Sequence, residues 1–142
     1  MEKNLIAKAS TTIDASIEKV WDALVNPKMI KKYMFGTTVS SEWKKGSDIK
    51  WKGEYEGEKY EDKGKILEIK PESVLKYTHY SPLSGEEDIP ENYNTVTIKL
   101  SDKKEEVSVV LLQDNNANEK AVKQSEKNWN VMLDGLKKLL EK

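Results

Sequence analysis

The chain has 142 residues, 37% of them hydrophobic and 35% charged, and a formal net charge of −1. That size suits one compact domain around one core, and a near-neutral balance argues against nucleic acid as a partner. The sequence contains no cysteine, which removes disulfides, thiolate nucleophiles and thiolate metal sites, and all 24 basic residues are lysine, so no guanidinium clamp is available.

The opening MEKNLIAKAS lacks an apolar signal segment, and nowhere do about 18 apolar residues run together. The chain is therefore expected to be soluble and cytoplasmic and not an integral membrane protein. Residues 3 to 13 alternate, with Leu5, Ala7, Ala9, Thr11 and Ile13 on one side, which predicts a first strand. Ser16 then caps a helix whose apolar residues Ile17, Val20, Trp21 and Leu24 follow the i, i+3, i+4, i+7 spacing of one buried face. Pro27 biases Asn26 away from helical geometry and starts a second short helix, with Met29, Ile30 and Tyr33 or Met34 as its apolar side and Gly36 as its exit.

From Thr37 the period changes to two. A short strand over Thr37 to Glu42 precedes the turn Lys45-Gly46-Ser47, after which Ile49, Trp51 and Tyr55 share one face of the next strand. Further strands are predicted over Tyr60 to Ile69, Val74 to Tyr80, a run holding Val96, Ile98 and Leu100, and a run holding Val107, Val109 and Leu111. Links of hairpin length make the sheet antiparallel. A long helix from about Asn118 to Glu141 ends the chain, its inner face traced by Ala121, Ser125, Trp129, Met132, Leu133, Leu136, Leu139 and Leu140.

Several strings in this order carry a resemblance. They are Ser16-Ile17-Glu18-Lys19-Val20-Trp21-Asp22-Ala23-Leu24 followed by Asn26-Pro27, then Lys45-Gly46-Ser47. Further on come Gly64-Lys65-Ile66-Leu67-Glu68-Ile69-Lys70-Pro71, Leu75-Lys76-Tyr77-Thr78 and Trp129-Asn130-Val131-Met132-Leu133-Asp134-Gly135-Leu136. Over nearly its whole length the chain resembles the START-like (SRPBCC, helix-grip) superfamily, and within it the group similar to the activator of heat-shock protein 90 ATPase. The resemblance implies an α+β helix-grip fold: a curved antiparallel sheet of six to seven strands around a long C-terminal helix, with two short helices after the first strand. One departure is Gly46-Ser47, where many relatives have two glycines.

A single helix about 10 Å across cannot fill the concave side of a strongly curved sheet, so large side chains or a bound apolar molecule must occupy the remainder. The candidate walls on the strands are Trp51, Tyr55, Leu75, Tyr77, His79, Val96 and Ile98. On the helix they are Trp129, Met132, Leu133 and Leu136, with the tyrosine hydroxyls and the imidazole as orienting groups. The same residues serve equally as ordinary core. His79, the only histidine, has no partner in sequence that completes a triad or a zinc site. Glu86, Glu87, Asp88 and Glu91 lack calcium-loop spacing and read as a solvated loop, bracketed by prolines as a lid would be. The run 57 to 65 fails as a phosphate loop, because Ile66 stands where Ser or Thr should hold magnesium. Lys28, Lys31 and Lys32 read as a solvated helix face. No metal and no cofactor is expected.

The leading expectation is a monomeric binding protein for a hydrophobic small molecule or lipid. The resemblance implies a second possibility, contact with a chaperone whose ATPase it stimulates. A cyclase-like or hydrolase-like enzyme using His79 and Tyr77 is the third.

Overall fold

The computed structural model describes residues 5–34, 36–55, 57–81, 87–104, 106–116 and 118–141. Seven strands form one sheet: β1 (Leu5–Ile13), β2 (Thr38–Ser41), β3 (Asp48–Tyr55), β4 (Glu58–Lys70), β5 (Val74–His79), β6 (Asn94–Asp102) and β7 (Val107–Asn116). Their spatial order is β1-β7-β6-β5-β4-β3-β2 with every neighbouring pair antiparallel. This is the α+β helix-grip architecture that the resemblance implies.

The order explains the two short helices. Strands β2 to β7 run as a meander, whereas β1 lies at the opposite edge from β2. The chain must cross from one edge to the other, and α1 (Ile17–Val25) with α2 (Pro27–Tyr33) makes that crossing. The Ser16 hydroxyl caps α1 by accepting from the Lys19 N–H at 3.3 Å. One residue then ends α1 and begins α2. The Asn26 N–H donates to the Asp22 carbonyl at 2.8 Å, and its side-chain oxygen accepts from the Lys28 N–H at 3.0 Å. Gly36, at φ +81°, turns the chain into β2.

Curvature has a local cause in β4. Its pairing with β5 shifts register between Ile66 and Glu68, which marks a bulge that bends and twists the strand. Just before it, a Cβ at Gly64 would overlap the Thr78 carbonyl oxygen. The Thr78 hydroxyl replaces a ladder bond there, accepting from the Lys65 N–H at 2.9 Å.

Helix α3 (Glu119–Leu140) starts at Asn118, whose side-chain oxygen accepts from the Ala121 N–H at 2.8 Å. It lies on β1 and β7 and touches α1 and α2. Met132, Leu133 and Leu136 are its buried residues. The core cluster joins them to Ile13, Val20, Val96, Val107, Val109 and Leu111.

Boundaries differ from the sequence reading in three places. Strand β4 begins at Glu58 rather than Tyr60, because Gly57 at φ +85° lets Tyr55 pair with Glu58 across a tight turn. Strand β2 is shorter than Thr37 to Glu42. A 3-10 turn, Pro90–Asn92, forms inside the acidic loop. Positions 82–86 of that loop, Glu86 included, lie outside the described residues.

Candidate functional site

Side-chain alternation on the central strands decides what faces the helix. On β3 the inward residues are Ile49 and Trp51; on β4 they are Tyr60, Asp62, Gly64 and Ile66; on β5 they are Leu75, Tyr77 and His79. Helix α3 rests on β1 and β7 and α2 on β2, and between them side chains of both helices meet the inner face of β3 and β5.

A cavity of about 30 Å³ remains there. Trp51, Leu75, Tyr77 and Ile98 line it from the sheet, with Trp129 and Met132 from α3. The rest of the wall comes from earlier in the chain: Leu24, Ile30, Tyr33, Met34, Val39, Trp43 and Ile49. A void of that size holds about one water. Large rings therefore occupy most of the hollow, Trp51 lying 5.2 Å from Tyr77 between ring centroids at an interplanar angle of 47°.

Polar groups in the wall are unevenly satisfied. The Tyr33 hydroxyl donates to the Ala23 carbonyl at 2.7 Å. The Trp129 indole N–H donates to the Gln113 side-chain oxygen. Among the described residues, neither the Tyr77 hydroxyl nor the Trp51 indole N–H has a hydrogen-bond partner, although both residues are only 6% exposed. Burial pushes the Tyr33 and Tyr77 hydroxyls well above the usual phenol range, and the nearby Tyr77 adds to the effect on Tyr33.

One step along the strands stands an acid–imidazole pair. Asp62 is paired with Trp51 across the β3–β4 ladder, and its Oδ2 lies 2.9 Å from the His79 Nε2. The His79 ring meets Trp51 edge-on, 5.0 Å between centroids at 65°. Asp62 Oδ1 is buried without a partner among the described residues.

The sequence-derived candidates thus separate. Trp51, Leu75, Tyr77, Ile98, Trp129 and Met132 line the cavity, and His79 stands beside it against Trp51. Val96, Leu133 and Leu136 are buried in the core without reaching the void. The Tyr55 side chain lies outside the described residues. Sequence reasoning missed Asp62 and, in the cavity wall, Leu24, Ile30, Tyr33, Met34, Val39, Trp43 and Ile49. Alternation from Tyr60 through Ile66 carries the signal for Asp62, since it puts a carboxylate in an inward register. Trp43 sits on left-handed backbone at φ 56°, a conformation no sequence pattern announces for tryptophan.

Elsewhere, an open groove of about 580 Å³ runs along the outer faces of β3 and β4 beside Pro90 and Tyr93. Its lysines are each paired: Lys50 with Glu61, Lys65 with Asp48, and Lys63 with Asp88. The Lys63 ammonium and the Tyr93 hydroxyl hold the Asp88 carboxyl below the usual range. Among the described residues no three His, Asp or Glu side chains gather as a metal site. No helix among them is long and apolar enough to cross a membrane.

A curled seven-stranded antiparallel sheet holding a C-terminal helix, with a ring-lined hollow between them, defines a helix-grip protein. Within that class the chain belongs to the family described as Activator of Hsp90 ATPase homolog 1-like protein, whose model matches residues 14–141. It is similar to a protein from Cytophaga hutchinsonii known in solution, at 61% identity and TM-score 0.88, over 99% of this chain and 97% of that one. More distant likenesses carry the fold alone. A protein from Chromobacterium violaceum gives TM-score 0.80 at 19% identity, over 96% of this chain and 97% of that one. An Aha1 dimer from Colwellia psychrerythraea gives 0.74 at 21% identity, over 96% of each chain. No curated protein matches the chain.

Proposed function

We propose that this domain is a cytoplasmic, monomeric binding protein for a largely apolar small molecule of lipid-like character, held between Trp51, Tyr77 and Trp129. The observation that carries the reading is the cavity wall: Trp51, Tyr77 and Trp129 enclose a void between sheet and helix, and the Tyr77 hydroxyl donates to none of the described residues. A ligand oxygen would supply that hydroxyl with an acceptor. The present void admits no such guest, so entry requires the wall to move. Met34 and Met132 are unbranched and adaptable, and half-buried Trp43 rests on strained backbone at φ 56°. Those three side chains form the part of the wall that yields.

Titration with an apolar fluorescent probe, read through tryptophan emission, tests this directly. Saturable binding that weakens when Trp51 or Trp129 is replaced by alanine is the expected result. A flat titration, together with native mass spectra of host-purified protein free of any ligand, would remove the reading. Sedimentation velocity is expected to report a monomer, in contrast to the Colwellia dimer.

Family membership supports a second reading, contact with a chaperone ATPase. Co-purification with the cognate chaperone and a rise in its ATP turnover would favour it. Unchanged turnover at saturating protein would dismiss it.

A further inference from the structure

We propose that Asp62 is the polar anchor of the ligand, and that the ligand therefore carries a hydrogen-bond-donating head, an ammonium or a hydroxyl, and not a carboxylate. This rests on the ligand hollow proposed above and specifies what fills it.

A carboxylate only accepts hydrogen bonds, so the proton in the 2.9 Å contact belongs to His79 Nε2, which donates to Asp62 Oδ2. That contact uses one oxygen. The other, Oδ1, is buried and has no donor among the described residues, a condition native proteins seldom leave uncorrected. Asp62 stands beside the cavity rather than in its wall, and any partner its Oδ1 takes there must be a donor, the role we assign to a ligand head.

Register then decides the sign of the charge that fits. Asp62 faces the same side as Trp51, its partner across the ladder, and Trp51 lines the cavity. The lysines of these strands, Lys50, Lys52, Lys63 and Lys65, alternate with the inward residues and so point to the opposite face. His79 is the only basic side chain within ion-pair reach of Asp62 among the described residues, and the sequence has no arginine. An anionic head would meet an acceptor oxygen whose one basic neighbour among the described residues, His79, already donates its Nε2 proton to that carboxylate. A donor head would gain a charge-assisted hydrogen bond, and an ammonium would also meet the ring of Trp51. A structural role for Asp62, orienting His79 and nothing more, would use Oδ2 and leave the choice of ligand head indifferent.

Three probes with one chain length separate these cases: decylamine, decanol and decanoate, each below its micelle concentration, followed by tryptophan fluorescence and calorimetry on the full chain. Decylamine and decanol are expected to bind, with decanoate weaker by about tenfold or more. The ratio of amine to alcohol affinity tells an ammonium head from a hydroxyl head. Asp62→Asn should shrink the amine-to-acid ratio by about tenfold, while Asp134→Asn, an exposed carboxylate on α3, should leave it unchanged. Decanoate binding as tightly as decylamine to the unaltered protein would overturn the proposal, and so would a ratio indifferent to Asp62→Asn in a variant whose circular dichroism shows it folded. Should that variant fail to fold, the ratio in the unaltered protein decides alone. If none of the three probes binds, the ligand hollow itself falls and the anchor with it; equal binding of all three removes only the anchor.

Discussion

The concave face is closed in two ways. On the side of β1, β6 and β7, helix α3 closes it: Ile13, Val107, Val109, Leu111, Leu133 and Leu136 share one cluster and none is more than 1% exposed. On the side of β3 to β5 the helix contributes Trp129 and Met132, which meet Trp43, Trp51, Tyr77 and the α2 residues Ile30 and Tyr33 around the void. Branched aliphatic side chains interdigitate to near-crystalline density, whereas rigid rings tile less well and bring polar atoms with them. The first half therefore supplies stability. The second half keeps a void, two donors without partners among the described residues and an orphaned carboxylate oxygen, the features a binding site needs.

Variants can break this division, beginning with the strongest. Gly64→Ala forces a Cβ into the Thr78 carbonyl, backbone against backbone, and is expected to cost about 3 kcal/mol or more and to open the β4–β5 pairing. Urea denaturation measures the cost, and hydrogen exchange at Lys65 locates it. Leu136→Ala, on the closed half, is expected to lose about 2–5 kcal/mol. Probe affinity should be unchanged in that variant; a parallel loss of affinity would show that the halves are not separable.

The two buried tyrosines sharpen the contrast further. Tyr33→Phe leaves the Ala23 carbonyl without its donor and should cost about 1–2 kcal/mol. Tyr77→Phe removes a hydroxyl that has no partner among the described residues and should change stability by less than about 0.5 kcal/mol. Equal losses in thermal or urea unfolding would contradict the assignment of one as structural and the other as ligand-facing.

The smallest effect is alkaline. Both hydroxyls have their titration raised by burial, above the ordinary phenol value of about 10. Their contribution to stability is therefore complete below about pH 10 and is lost as pH rises beyond it, because the unfolded chain ionises first. Denaturation at stepped pH should show stability falling above about pH 10, less steeply in the doubly substituted Phe variant. Tyrosinate absorbance from these two side chains should appear only with unfolding.

Much of the fold was legible because local rules agreed with it. Ser16, Asn26 and Pro27 state where helices start and stop, and alternation in Val96-Thr97-Ile98-Lys99-Leu100 states which side is buried. The site was legible only in part. Trp51, Tyr77 and Trp129 stood out by size and period, but Tyr33, Met34 and Trp43 reach the same void from segments that no spacing rule connects to them. Asp62 was readable in principle from the Tyr60-to-Ile66 alternation, yet its neighbours Glu61 and Lys63 disguise it as one more charge on a solvated strand.

Element types, caps, the inward set on each strand and the family were properties of the sequence alone, since each depends on residues near one another in the chain or on strings that recur among relatives. The tertiary structure alone decided that α3 lies on β1 and β7 while its Trp129 and Met132 meet Trp51 and Tyr77, that the Asp62 carboxylate meets the His79 ring 17 positions away, and that the other Asp62 oxygen has no partner among the described residues. Those facts depend on curvature and on contacts between distant segments, which a bulge at Ile66 and a glycine pressed against Thr78 bring about.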